Sequence, residues 1–107
     1  MFTVIWENRL KAGVDPAQYI QARKAHYQRF GSEAKARGIH WTEARYYAPF
    51  DGPVVGGGGT YVIVTYQVES LDQLTKAATE IPGLADSSAQ LREQYIDSVT
   101  LRILREL

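Results

Sequence analysis

Two segments with a period of two, one near each end of the chain, and one long segment with a period near 3.6 directly after the first constrain the fold more than any other feature. Residues Phe2 to Leu10 alternate two sets, Phe2, Val4, Trp6, Asn8, Leu10 and Thr3, Ile5, Glu7, Arg9, which is strand chemistry that Ala12-Gly13 brings to an end. Val99, Leu101 and Ile103 alternate with Thr100 and Arg102 as a closing strand. Between them, Asp15-Pro16 supplies a side-chain acceptor at a helix N-cap and a proline where a missing N–H costs nothing. A helix is predicted from there to about Arg37-Gly38, with Tyr19, Ile20, His26, Tyr27, Phe30 and Ala34 on one side and Gln18, Gln21, Lys24, Gln28 and Lys35 on the other. Gly31 lies inside this helix and points to a local bend or a close backbone approach.

The middle of the chain supplies the remaining elements. Ile39 to Tyr47 reads as a second strand and Thr60 to Val68 as a third. Ser70-Leu71-Asp72-Gln73 fits a capping box opening a short helix that carries Leu71, Leu74, Ala78 and Ile81, broken by Pro82-Gly83. A further helical stretch from about Asp86 sets Leu91 and Tyr95 one turn apart. The order βαββαβ, with the second helix split, predicts an α+β ferredoxin-like sandwich with a four-stranded antiparallel sheet, one domain over 1–107. The connection APFDGPVVGGGG has four successive glycines, Gly56 to Gly59, but they run into a strand and no Gly-Lys-Ser/Thr follows, so a mobile hairpin connection able to act as a flap is expected over a phosphate loop.

Composition removes several function classes. Lys plus Arg and Asp plus Glu number 12 each, so no net field favours nucleic acid or an anionic membrane. The absence of cysteine excludes disulfides, thiolate nucleophiles, iron–sulfur clusters and Cys-type zinc sites. Glu7 and Arg9 break the apolar opening, which lacks a cleavage site, and no apolar run reaches a membrane span. A cytoplasmic protein is expected.

Helices on one side of a four-stranded sheet leave its other face uncovered. With the more apolar sets facing the helices, that second face carries Ile5, Tyr61 and Ile63 together with Glu7, Arg9 and Arg102. A half-apolar face of this kind packs best against its own copy, and a homodimer burying sheet against sheet is expected.

The same alternation puts Trp6 and Asn8 beneath the first helix. Arg23 falls in the middle of that helix's apolar stripe, among Tyr19, His26, Tyr27 and Phe30, where a cation is costly unless paired or solvated. A cavity between helix and sheet is therefore expected, lined by Trp6, Asn8, Arg23, His26 and Tyr27. There Asn8 and Arg23 would bind an oxyanion or carbonyl, and the aromatics, Tyr19 and Phe30 included, a planar ring. Each residue also has a plainer reading: Asn8 as the partner of a backbone group, Arg23 as a snorkelling side chain, His26 as a satisfied core histidine. His40 and Trp41 read as packing and surface. Two distant histidines without a carboxylate at ligand spacing argue against a metal site.

Glu7-Asn8-Arg9-Leu10 at the end of an opening strand, followed by a turn and a long amphipathic helix in βαββαβ order, resembles the dimeric α/β-barrel superfamily, especially its antibiotic-biosynthesis-monooxygenase and haem-degrading branches. The resemblance implies a ferredoxin-like protomer, a dimer that forms a barrel from two sheets, and a pocket between helices and sheet. In the haem-degrading branch an asparagine at the place of Asn8 acts beside the ligand, with a tryptophan and an axial histidine from the second helical region. This chain has neither between Ser70 and Asp97, so no haem or other cofactor is expected. The resemblance implies a small-molecule enzyme, a cofactor-independent monooxygenase acting on an aromatic or polyketide-like substrate, in which Asn8 and Arg23 would stabilise an enolate and His26 or Tyr27 assist proton transfer. The alternative is a non-catalytic dimeric module for ligand binding or assembly.

Overall fold

In a computed structural model, residues 1–48 and 61–107 are described. The elements follow the order β1 (Phe2–Leu10), α1 (Pro16–Ala36), β2 (Arg45–Tyr47), β3 (Tyr61–Val68), α2 (Asp72–Glu80), α3 (Leu84–Tyr95) and β4 (Ile96–Arg105). The strands form one antiparallel sheet in the order β2-β3-β1-β4, the ferredoxin-like arrangement expected from the sequence. The glycine segment Gly56 to Gly59, and with it the proposed flap, lies outside the described residues.

Register fixes the two faces. Trp6 stands opposite Val64 on one side and Leu101 on the other, and Asn8 opposite Val62 and Val99. Paired residues share a face, so Val4, Trp6, Asn8, Val62, Val64 and Tyr66 all point to the helices, and Val4, Asn8, Val62 and Val64 are buried there. The described chain measures 41 × 34 × 17 Å, the thickness of one helix layer on one sheet. Thr3, Ile5, Glu7, Arg9, Tyr61, Ile63 and Arg102 lie on the helix-free face, where Arg102 approaches Glu7 at 3.8 Å and the Arg9 guanidinium covers the Tyr61 ring.

Asp15 caps α1 by accepting from the Ala17 N–H at 2.9 Å, and Pro16 follows at the first helical position. Tyr19, Arg23, His26, Phe30 and Ala34 form its buried stripe. One cluster, of Leu10, Tyr19, Val62, Val64 and Ile96, holds the helix layer to the sheet, and a second, of Phe30, Ala34, Ile39, Ala77 and Ile81, packs α1 against α2. Each large apolar member contributes about 1.5–3 kcal/mol.

Three expectations need correction. The second strand does not begin at Ile39. Gly38, at φ +73°, turns the chain at the end of α1, and the Ile39 N–H bonds back to the Ala34 carbonyl at 2.9 Å. Ile39 thereby joins the helix cluster, and the chain meets the sheet through a bridge from Trp41 to Val68 and hydrogen bonds between Thr42 and Gln67 before β2 begins at Arg45. The capping box does not form: Leu71 is the N-cap of α2 without a side-chain bond, and the first turn closes through backbone bonds from Gln73 to Ser70 and from Leu74 to Leu71. Gly31 makes no close approach, since an added Cβ would meet nothing within 4 Å. Val99, Leu101 and Ile103 share the helix-side face yet remain 39–45 % exposed, because the helices cover the centre of the sheet and leave the β4 edge open. No residue separates α3 from β4: Tyr95 ends the helix and Ile96 starts the strand.

Candidate functional site

A cavity of about 490 Å³ opens between α1, α2, α3 and the helix side of the sheet, within the size range of small-molecule sites. From the sheet come Trp6, Asn8, Tyr66, Val99 and Leu101; from α1 come Arg23, His26, Tyr27 and Phe30; from α2 and α3 come Leu74, Ser88 and Arg92. Trp6, Asn8, Arg23, His26, Tyr27 and Phe30, all singled out in the sequence, thus meet at one place. Tyr19 does not line this cavity. It is fully buried in the core against Tyr95, ring centroids 5.8 Å apart, and its hydroxyl has no partner among the described residues.

Asn8 is 1 % exposed, and its amide nitrogen donates to the backbone carbonyls of Trp6 and Val62, each at 3.3 Å. Both neighbours only accept, so chemistry sets the amide's orientation: the NH₂ group faces the carbonyls and the oxygen is left for the cavity. This is the plainer of the two expected readings, the partner of a backbone group. Asn8 has no donor to spare for an oxyanion and can offer only an acceptor.

Arg23 is 8 % exposed. Its Nη2 donates to the Tyr27 hydroxyl at 2.9 Å, its guanidinium lies 5.2 Å from the Tyr27 ring centroid, and its Nε is buried without a partner among the described residues. Among the described residues the ion pairs are Arg37 with Glu33 and Arg102 with Glu7, so no carboxylate compensates Arg23. Tyr27 accepts from Arg23 and keeps its own proton, and burial pushes its phenol far above the ordinary value, against the opposing pull of Arg23. Trp6 Nε1 donates to the Tyr66 hydroxyl at 3.2 Å, and burial raises that phenol too. Two phenol hydroxyls, each already accepting one hydrogen bond, are left as donors. The rings of Tyr27 and Tyr66 meet edge to face at 6.1 Å.

The His26 imidazole is wedged between Tyr27 and Phe30, centroids 5.5 and 5.1 Å away. Its Nδ1 lies 2.8 Å from Ser87 Oγ and its Nε2 3.5 Å from Ser88 Oγ. Burial first, then the Arg23 and Arg29 charges, hold its pKa down at about 4, so the ring is neutral at pH 7. A neutral imidazole donates through one nitrogen and accepts through the other. Exchange of tautomer therefore turns Ser88, which lines the cavity, from a group that donates to His26 into one that accepts from it.

Sequence reasoning missed Tyr66, Trp41, Ser87, Ser88, Arg92 and the α2 wall. Tyr66 carried a usable signal, since it belongs to the same alternating set as Val62 and Val64. Trp41, read as surface packing, lines the cavity because the turn at Gly38 carries it there. Nothing local marks Ser87 and Ser88: they matter only because α3 crosses α1 at His26. Among the described residues no group of three His, Asp or Glu side chains could hold a metal ion, and no helix is long and apolar enough to cross a membrane.

Comparison with protein-family models finds no match, and comparison with curated proteins finds none. Solved structures are similar. SnoaB, a cofactor-independent oxygenase from Streptomyces nogalater, aligns over 97 % of this chain and 92 % of its own at 16 % identity, with a TM-score of 0.62. A hydroxynitrile lyase from Passiflora edulis aligns over 99 % and 94 % at 15 % identity, with a TM-score of 0.67. A dimeric protein of unknown function with a ferredoxin-like fold from Bacteroides fragilis aligns over 98 % and 95 % at 10 % identity, with a TM-score of 0.61. The chain therefore shares a ferredoxin-like fold in which an oxygenase, a lyase and a dimer of unknown activity are all built.

Proposed function

We propose that this protein is a small-molecule enzyme, a cofactor-independent monooxygenase that oxidises an aromatic or polyketide-like enol in the cavity between α1 and the sheet. The observation that carries the reading is the convergence there of a buried, uncompensated Arg23 with the Tyr27 and Tyr66 hydroxyls and with the His26–Ser88 contact, inside walls of Trp6, Phe30 and Leu101. The likeness to a cofactor-independent oxygenase supports it, although fold alone does not select a reaction.

In this reading Arg23 and Tyr27 hold the enolate oxygen, supplying positive charge and a hydrogen bond in a water-poor site. The Asn8 carbonyl oxygen orients a hydroxyl of the substrate. Neutral His26 takes the proton that leaves carbon, through Ser88, by accepting at Nε2. The substrate supplies all the electrons: O₂ places one oxygen on a methylene that becomes a carbonyl, and the other oxygen leaves as water. The protein works as a homodimer that pairs the helix-free faces, a reading supported by the half-apolar surface of Ile5, Tyr61 and Ile63 and by the dimeric neighbour.

The test is oxygen uptake with a panel of aromatic and polyketide-like enols, together with mass spectrometry of the products. Substrate-dependent uptake, with a product one oxygen heavier and two hydrogens lighter, is expected, and Tyr27→Phe lowers kcat at least about tenfold. Tight binding of these compounds without turnover would replace the enzyme by a ligand-binding module.

A further inference from the structure

Charge at the cavity points to the state in which its ligand arrives. Arg23 and Arg92 both line it, and among the described residues no Asp or Glu does. Arg23 is buried, its one hydrogen bond goes to a neutral phenol, its Nε has no partner, and neither arginine enters an ion pair among the described residues. A buried guanidinium without a counter-charge is strongly unfavourable. The groups closest to it cannot supply one at neutral pH: Tyr27 and Tyr66 are held protonated, and His26 is held neutral. A neutral occupant would remove the remaining water around Arg23 and leave its charge bare. An occupant with one negative charge on oxygen cancels it, and the guanidinium N–H fork and the Tyr27 O–H can bond the two sides of that oxygen group together.

We propose that the cavity selects planar apolar molecules that are already anionic when they bind, with the negative oxygen on Arg23 and Tyr27 and the ring against Trp6 and Phe30. This rests on the small-molecule reading of the cavity and adds the charge of its ligand. The shared chemistry is an oxygen anion on an aromatic body, available from a carboxylate or from an ionised phenol or enol.

Isothermal titration of the full chain with 2-naphthoate and with its neutral isostere 2-naphthamide tests the charge. 4-Nitrophenol, whose ionised form alone is strongly coloured, separates the two sources. Naphthoate is expected to bind at least about tenfold more tightly than naphthamide, the difference a charge-assisted hydrogen bond makes. Arg23→Met, checked for folding by circular dichroism, loses that preference while still binding naphthamide. Arg92→Gln, at an exposed position, lowers naphthoate affinity by about threefold and leaves naphthamide unchanged. Deepening of the nitrophenol colour on binding assigns the site to phenolates and enolates as well; no change with tight naphthoate binding assigns it to carboxylates. Equal affinity for naphthoate and naphthamide in the unaltered protein overturns the charge selection and leaves the cavity reading in place. Failure of both naphthalenes to bind overturns the two together.

Discussion

Asn8 illustrates how one buried amide can be read from its neighbours alone. Two backbone carbonyls at 3.3 Å claim its N–H groups, so the side chain locks β1 to β3 and presents only its oxygen. The alternation that put Asn8 beneath the helix was visible in the sequence; the occupation of its donors was not, because it depends on where the Val62 carbonyl falls across the strand pair. Arg23 was legible for the opposite reason, since a cation inside an apolar stripe is anomalous before any partner is known. His26 yields a pH prediction. The unfolded chain takes up its imidazole proton near the ordinary histidine value of 6.5, whereas the folded chain does so only near about 4. Between those values the unfolded state binds more protons, so stability falls as pH falls through this window. Urea midpoints measured from pH 7 to pH 4 should therefore drop more steeply for the unaltered protein than for His26→Gln, which has no proton to gain.

At the scale of elements, α1 follows its sequence signals closely: the Asp15 cap, Pro16 and the stop near Gly38 are all local chemistry. Strand two failed for a tertiary reason. Its aromatic and β-branched residues suit a strand, but Ile39 gains more by filling the space between Phe30, Ala34 and Ile81 than by extending the sheet. The capping box failed because Ser70 and Gln73 meet through the backbone and not through side chains. Two glycines of the same region separate by conformation. Gly31 is helical with open space around it, so Gly31→Ala should stabilise the protein by about 0.5–1 kcal/mol. Gly38, at φ +73°, should cost about 1 kcal/mol when replaced by alanine. Thermal melts of both variants, read side by side, check the contrast in sign.

For the whole molecule, the decisive feature is a sheet with one dressed face. Ile5, Tyr61 and Ile63 on the bare side are partly buried within the protomer, and the proposed homodimer would cover the rest. Ile63→Glu should halve the mass measured by light scattering at micromolar protein and leave the circular dichroism spectrum unchanged, since Ile63 lies outside both helix-side clusters. A monomer mass for the unaltered protein would remove the dimer. The element order and the two faces were legible because periods of 2 and 3.6 are local properties; the cavity's α2 and α3 walls were not, because they arise where separate helices cross. The junction of Tyr95 and Ile96 joins these scales. With no residue between them, α3 and β4 form one continuous piece of backbone: its helical part carries Ser88 and Arg92 to the cavity, and its strand part forms an edge of the sheet. The outermost strand and the helix that lines the cavity thus share a single peptide bond as their joint.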